Sequence, residues 1–291
     1  MKKYFSFIKI EHTLFSLPVI YAGMALGYLA LIKSAEPIPS ASGLWLIGMW
    51  ILIAATGART VGFAMNRIVD RHIDARNPRT AIRDLPTGRM NIRQAYGVLF
   101  SGLIVYLLGV FQLNSLCIIL SPIPLIVFCI YPFLKRFSIF SHFGVGLSLA
   151  LGPLGGYFAV RPIFDSLTLP VVFLTLFTWF WVSGFDIIYS TSDEEFDKRE
   201  GLFSFPSRFG KKKALQYSGV IHVFAFLLLI GLYFSAFYGS IVVAILLIIT
   251  GYLLYLEQKK SDDVELAFFK INAVLGFIVF TFVIIGVQLA I

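Results

Sequence analysis

The sequence predicts an all-α, polytopic membrane protein with about nine transmembrane helices, and three observations lead to this fold class. Of its 291 residues, 58% are hydrophobic and 14% are charged, and the mean hydropathy is +0.85. Such a chain has too little polar surface to cover a water-soluble globule. Apolar stretches of about 20 residues, enough to cross ~30 Å of hydrocarbon, recur along the chain. The charges between them are also strongly asymmetric.

The predicted helices cover residues 14–32, 44–65, 95–113, 115–132, 139–160, 167–188, 214–236, 238–256 and 267–290. Prolines interrupt or bound the fourth, fifth and sixth of these, so eight or ten spans also fit the pattern. The connections are mostly short and none resembles a linker. We therefore expect a single transmembrane domain over residues 1–291.

All but two of the 24 Lys and Arg residues fall on one side of a nine-span chain, and the exceptions are Lys33 and Arg161. Because basic loops remain in the cytoplasm, the amino terminus and the loops after even-numbered helices should be cytoplasmic. Topology and anionic headgroups then explain the net charge of +8. We expect the lipid bilayer as the partner of these loops, no nucleic acid, and infer no protein partner. Arg161 is interpreted as an outer interface anchor.

Two acidic segments share one spacing, at a constant offset of 123 residues. They are Asn66-xxx-Asp70-xxx-Asp74 after the second predicted helix and Tyr189-xxx-Asp193-xxx-Asp197 after the sixth. If each helix continues past the membrane edge, each segment falls within about 80° of arc on one helix face. The loops that contain them, residues 67–93 and 189–213, are long enough to be functional and both lie on the cytoplasmic side. The repeat also suggests an internal duplication.

Clustered carboxylates repel one another unless a cation lies between them. The absence of a plausible Cys/His cluster argues against zinc. Hard oxygen ligands that leave room for phosphate instead suit Mg²⁺. Arg76, Arg79, Arg83 and Lys135 are candidates for charge-assisted bonds to such a phosphate. An amphiphile with a diphosphate head and an apolar tail would fit this site.

Several single residues also fit a structural role. Acids that alternate with Arg at three- and four-residue spacing also occur on solvated, salt-bridged helix ends, but the repeat of the whole pattern favours a site. Asp186 and Arg59 lie inside apolar runs, where an ionisable side chain is by default a functional candidate. For Lys135 and Arg136, a role in fixing the membrane topology and a role in phosphate binding are equally good interpretations. The histidines, including His142, show no mutual spacing and are interpreted as structural.

At this point the sequence resembles a known family. The segments "NRIVDRHIDARNPRT" and "DIIYSTSDEEFDKREGLFSFPSRFG" are similar to the two aspartate-rich signatures of the UbiA superfamily of intramembrane prenyltransferases, whose members include 4-hydroxybenzoate polyprenyltransferases. "IEHTLFSLP" and "YPFLKRFS" are similar as well, so the resemblance extends over most of the chain. It implies a ring of nine transmembrane helices around a central cavity, capped by the two motif loops.

The resemblance also implies two Mg²⁺ sites. Asp70 and Asp74, supported by Asn66, would hold one ion, and Asp193 and Asp197 would hold the other. Together these ions would clamp the diphosphate and neutralise it as it leaves.

Further residues receive roles from the same resemblance. Arg79, Arg83 and Lys135 would hold the diphosphate, whereas Arg59 and Tyr131 would lie in the cavity. Asp186 and Tyr189 match the second signature.

The implied reaction transfers a polyprenyl chain from an allylic polyprenyl diphosphate to a ring carbon of a hydroxylated aromatic acid, similar to 4-hydroxybenzoate, in ubiquinone or menaquinone synthesis. Either Asp186 or the released diphosphate would accept the ring proton. A dihydroxynaphthoate of a menaquinone route is an alternative acceptor. A membrane cation or solute carrier is an alternative of another class. A CDP-alcohol phosphotransferase is a third, but its tight four-Asp signature is absent from the sequence.

Overall fold

A computed structural model describes Phe7 and residues 13–291. Every regular element in this part of the chain is helical, and nine helices in it are long and apolar enough to cross a membrane. This confirms the predicted fold class. The α-helices are α1 (Thr13–Lys33), α2 (Ala41–Arg76), α3 (Ile92–Phe111), α4 (Ser115–Leu120), α5 (Pro122–Leu134), α6 (Ser141–Val160), α7 (Leu169–Ser190), α8 (Glu194–Arg199), α9 (Phe205–Phe209), α10 (Lys211–Leu232), α11 (Ile241–Lys259) and α12 (Asn272–Ala290). Three of the basic residues counted for the charge asymmetry lie outside the described residues: Lys2, Lys3 and Lys9.

Two helix boundaries differ from the prediction. α2 runs for 36 residues without a break, so only residues 77–91 form the irregular part of the first motif loop. The fourth span is divided at Ser121 into α4 and α5, because Pro122 starts a new helix there. The long α2 carries the first acidic segment out of the apolar layer on a rigid support.

α6 packs against α1, α5 and α7. Its crossing with α1 brings the two backbones into contact. A Cβ atom placed on Gly156 would lie 2.1 Å from the carbonyl oxygen of Ile20. Only a residue without a side chain permits this approach.

We expect Gly156→Val to push α1 away from α6 and to lower the thermal stability of the purified protein in detergent. Overpacking of a helix contact costs about 1–3 kcal/mol, and here the clash is with backbone that cannot yield. Gly155→Val is the matched control, because a Cβ at Gly155 meets no atom within 4 Å. Thermal unfolding followed by intrinsic fluorescence checks this, and equal midpoints for the two variants would contradict the close contact.

The outward surface of the bundle is apolar. On α3, the residues Phe100, Ile104, Leu108 and Phe111 are 57%, 59%, 56% and 60% exposed and follow one another at helical spacing. A continuous exposed stripe of this kind suits contact with lipid chains rather than water. The protein is therefore an integral, multi-pass membrane protein.

Arg161 is not the interface anchor that the sequence suggested. It is 2% exposed, and its Nη2 lies 2.7 Å from Glu36 Oε1 and 2.6 Å from Asp165 Oδ2. The hydrogen bond from Arg161 lowers the pKa of the Asp165 carboxyl below its usual value. The guanidinium forms ion pairs with Glu36 of the α1–α2 connection and with Asp165 after α6. These pairs link the α1–α2 connection to the end of α6. This end of the bundle lies opposite the acidic segments.

Candidate active site

The first acidic segment lies on the last turns of α2. The helix begins at a side-chain cap, where Ser40 Oγ accepts a hydrogen bond from the Gly43 N–H, and continues to Arg76. Its uninterrupted course confirms the geometry predicted from spacing. Asp70 and Asp74 are only 2% and 4% exposed, so both carboxylates need partners.

Asp70 is neutralised by two cations that follow α5. Lys135 Nζ lies 2.6 Å from Asp70 Oδ2, and Arg136 Nη2 lies 3.2 Å from Oδ1. Asn66 Nδ2 donates a further hydrogen bond of 3.2 Å to Oδ2. The basic residues at the end of the fourth span therefore bind the first acidic segment directly, whether or not they also help to fix the membrane topology.

Asp74 has a partner at only one of its two oxygens. Arg83 Nη1 donates to Oδ1 at 2.7 Å, whereas Oδ2 is buried and has no hydrogen-bond partner among the described residues. Arg67 interacts electrostatically with Asp74 and is 8% exposed, and within the same part of the chain its Nη1 also has no partner. In the sequence, Arg67 stands out only as one of the basic residues at the start of the first motif loop. An unsatisfied carboxylate and an unsatisfied guanidinium together indicate a ligand that brings both a cation and an anion.

The second acidic segment is not carried by one continuous α-helix, as the spacing argument assumed. α7 ends at Ser190, a 3₁₀ turn covers Thr191–Asp193, and α8 begins at Glu194. The rotation of 100° per residue fails in this turn, because a 3₁₀ helix has about three residues per turn. Asp197, on α8, hydrogen-bonds Ser204 instead of continuing the stripe of α7.

Asp193 joins the two motif loops. Arg79 donates to both of its carboxylate oxygens, with Nε 2.9 Å from Oδ1, and Asn77 Nδ2 donates to Oδ1 at 2.8 Å. Arg79 also donates to the Tyr189 hydroxyl and lies over that ring, 4.6 Å from its centroid. Burial lowers the pKa of the Arg79 guanidinium, but the hydrogen bonds to Asp193 and Tyr189 outweigh it, so the pKa lies above its usual value. The two loops thus form one cap.

A cavity of about 880 Å³ adjoins this cap. Its walls come from the first six spans together with Phe269 and Asn272. The predicted site residues on its wall are Arg59, Asn66, Arg79, Arg83, Tyr131, Asp186 and Tyr189. Asp74 and Asp193 join them through ion pairs with Arg83 and Arg79. Asp70, which holds Lys135, joins them through the hydrogen bond from Asn66. Away from the cap the wall is apolar, with Leu113, Cys117, Phe158 and Phe164.

His142, which its spacing in the sequence did not connect to any site, contacts one of the predicted site residues. Its Nδ1 lies 2.7 Å from Oδ2 of Asp186, which lines the cavity. The pair joins α6 to α7 across 44 positions of the sequence. No periodic pattern within one helix could reveal such a contact.

The donor set fits a hard cation, although the described residues contain no group of three or more His, Cys, Asp or Glu side chains that could hold a metal ion as they stand. Basic side chains already pair with three of the four predicted metal-ligating acids. These pairs are Asp70 with Lys135 and Arg136, Asp74 with Arg83, and Asp193 with Arg79. Carboxylate oxygens suit Mg²⁺, and Asp74 Oδ2 lacks a partner within the described chain. A cation at the carboxylates would release the basic side chains for an anion.

Comparison with known proteins agrees with this geometry. The model of the UbiA prenyltransferase family matches residues 16–274. The 4-hydroxybenzoate octaprenyltransferase of Francisella tularensis subsp. novicida is 27% identical over 290 residues, covering 98% of this chain and 97% of that protein.

Solved structures are similar over nearly the whole chain. The apo structure of a UbiA homolog from Aeropyrum pernix K1 has a TM-score of 0.83 and 30% identity, covering 95% of this chain and 98% of that one. A UbiA homolog from Archaeoglobus fulgidus, solved with GPP and Mg²⁺, has a TM-score of 0.74 and 17% identity over 98% of this chain and 99% of that one. At this identity it supports the fold alone. The chain belongs to the UbiA prenyltransferase family and is a prenyltransferase.

Proposed function

We propose that this prenyltransferase transfers a polyprenyl chain from an allylic polyprenyl diphosphate to a ring carbon of a hydroxylated aromatic acid such as 4-hydroxybenzoate, with Mg²⁺, in quinone synthesis. One observation carries the proposal: the acidic and basic side chains of two distant loops converge at the mouth of a cavity whose far wall is apolar. A diphosphate head and a hydrocarbon tail match these two ends. The Francisella relative bears the corresponding name.

The diphosphate would lie against basic residues of the cap. Arg79, Arg83 and Lys135 each hold an aspartate in this structure, and each would turn from that carboxylate to a phosphate oxygen. Arg67 needs no such exchange, because its Nη1 lacks a partner in the described residues. We therefore add Arg67 to the diphosphate ligands.

Magnesium would be held by the acids that those cations release and by Asp197, which hydrogen-bonds Ser204. Asp70 and Asp74, with Asn66, form one site, and Asp193 and Asp197 form the other, giving two ions. When bound, Mg²⁺ neutralises the charge that develops on the departing diphosphate. The unsatisfied Asp74 Oδ2 supports this assignment.

The reaction is an aromatic substitution within the cavity. The allylic C–O bond breaks and its electron pair stays on the diphosphate, after which a ring carbon forms the new C–C bond. The ring C–H bond then gives its electrons back to the aromatic system, and the proton passes to Asp186, which lies on the cavity wall. Tyr131 and Arg59 border the same space and would position the acceptor.

The proposal also includes the orientation of the protein in the membrane and the extent of its domain. The amino terminus and both acidic loops would face the cytoplasm, where basic loops are retained. A single domain over residues 1–291 would carry the whole activity.

The test incubates the purified protein with geranyl diphosphate, Mg²⁺ and either 4-hydroxybenzoate or a dihydroxynaphthoate, and identifies the product by mass. We expect C-prenylated 4-hydroxybenzoate, and none when the metal is chelated. Product only from the dihydroxynaphthoate would move the proposal to that acceptor. An intact allylic diphosphate with every acceptor would contradict the proposed function.

A further inference from the structure

We infer that His142 is a positioning residue that holds Asp186 in the orientation needed to accept the ring proton. The inference rests on the proposed function and assigns a role to a side chain that neither acidic segment contains. Asp186 presents two oxygens, and His142 Nδ1 is 2.7 Å from Oδ2. The Asp186 side chain is 22% exposed, and it lines the cavity, so Oδ1 is the oxygen left for a substrate.

The second hydrogen bond of the imidazole fixes its tautomer. The Phe205 N–H, at the start of α9, donates to His142 Nε2 at 3.4 Å. Because a peptide N–H can only donate, Nε2 must carry the lone pair and the ring proton must sit on Nδ1. His142 therefore donates to Asp186, which remains an acceptor. The second motif loop, which contains α9, therefore fixes the tautomer of His142 through the Phe205 N–H.

The packing of α6 on α7 leaves the imidazole little freedom. One turn beyond His142, a Cβ on Gly146 would lie 2.3 Å from Ser183 Oγ and 2.5 Å from the Trp179 carbonyl oxygen. The two helices therefore touch through the backbone of α6 next to the pair. The His142 side chain is 5% exposed, so water does not compete effectively for its hydrogen bonds.

The position of Asp186 along α7 suits a proton acceptor. It precedes Asp193 by seven residues, about 12 Å at roughly 1.5 Å per α-helical residue and 2 Å per residue of the 3₁₀ turn, and so lies deeper than the cap that would hold the diphosphate. The reacting allylic carbon is attached to the diphosphate and points away from the cap. A ring that attacks this carbon would have its C–H bond near Asp186. Without His142, the carboxylate could rotate away or pair with a neighbouring cation, and proton removal would slow.

The experiment compares His142→Asn with His142→Leu and His142→Gln in the full chain, with geranyl diphosphate, Mg²⁺ and 4-hydroxybenzoate that is either normal or deuterated at the reacting ring positions. The Asn side-chain amide can place an N–H near the position of Nδ1, whereas Leu has no donor and Gln places its amide near Nε2. We expect kcat to fall by about 100-fold in the Leu and Gln variants, with KM for geranyl diphosphate little changed. The Asn variant should recover most of the loss.

The deuterium isotope effect separates positioning from a merely structural role. We expect it to be larger in His142→Leu and His142→Gln than in the parent, because proton removal becomes rate-limiting. His222→Asn is the matched control: His222 is also buried and hydrogen-bonded, to Gln258 and the Trp181 carbonyl, but it does not touch Asp186. That variant should lose stability without a change in isotope effect.

Two results would overturn the inference. An unchanged isotope effect with equal rates for the Asn and Gln variants would contradict the positioning role, even if His142→Leu fails to fold. The proposed function would survive that result, since the parent would still form product. A parent protein that forms no product with any acceptor would overturn the proposed function and this inference together.

Discussion

Asp193→Asn is expected to lower kcat/KM for prenyl transfer by at least about 1,000-fold, which corresponds to about 4 kcal/mol of lost transition-state stabilisation. Asp193 accepts hydrogen bonds from Asn77 and Arg79 and so holds the two loops together. An amide supplies only one acceptor oxygen and no charge. The variant would therefore lose a metal ligand and would also leave the Arg79 guanidinium without its counter-charge.

Glu195→Gln is the matched control for this change. Glu195 is exposed, lies two residues from Asp193, and undergoes the same replacement of carboxylate by amide. Steady-state rates with geranyl diphosphate and 4-hydroxybenzoate check the prediction. Comparable rates for Asp193→Asn and Glu195→Gln would show that the charge of Asp193 is not needed.

Asp70→Asn should cause a similar loss of activity and, in addition, a loss of stability. Lys135 and Arg136 both pair with Asp70, and they would face each other without a carboxylate between them. Removing one partner of a fully buried pair costs about 3–5 kcal/mol. Here the two basic side chains are 28% and 31% exposed, so we expect about 2 kcal/mol after solvent screening.

The matched control is Asp262→Asn, because the Asp262 side chain is 88% exposed and pairs only at the surface, with Lys211 at 2.9 Å. Thermal unfolding in detergent and the rate of product formation should both distinguish the two variants. If Asp70→Asn unfolds at the same temperature as Asp262→Asn and retains its rate, the central role of Asp70 is wrong.

The sequence predicted the fold and the first acidic segment well, because both follow from local periodicity. Apolar runs of membrane length determine the nine spans among the described residues, and α2 continues as a helix through Asp74, so the arithmetic of 100° per residue holds. The same arithmetic failed beyond Ser190, where a 3₁₀ turn intervenes. The two acidic segments therefore share a spacing but not a backbone conformation, which limits the argument for duplication.

Periodicity within one helix cannot predict contacts between segments that are distant in the sequence. His142 reaches Asp186 from another helix, and Arg67 stands out only because its burial leaves an N–H without a partner in the described chain. Arg161 was misjudged for the same reason, since Glu36 lies 125 positions away. The sequence alone does not contain these distances, and the structure supplies them.

The most direct test of the central claim measures binding of a non-reactive thio analogue of geranyl diphosphate to the parent protein, Asp74→Asn and Asp193→Asn, with Mg²⁺ and with a chelator. The claim is that acids of both loops hold one diphosphate through magnesium. We expect Mg²⁺-dependent binding in the parent, and at least about tenfold weaker binding with chelator or in either variant, a loss of ~1.4 kcal/mol or more. Equal affinity in all of these conditions would contradict the claim.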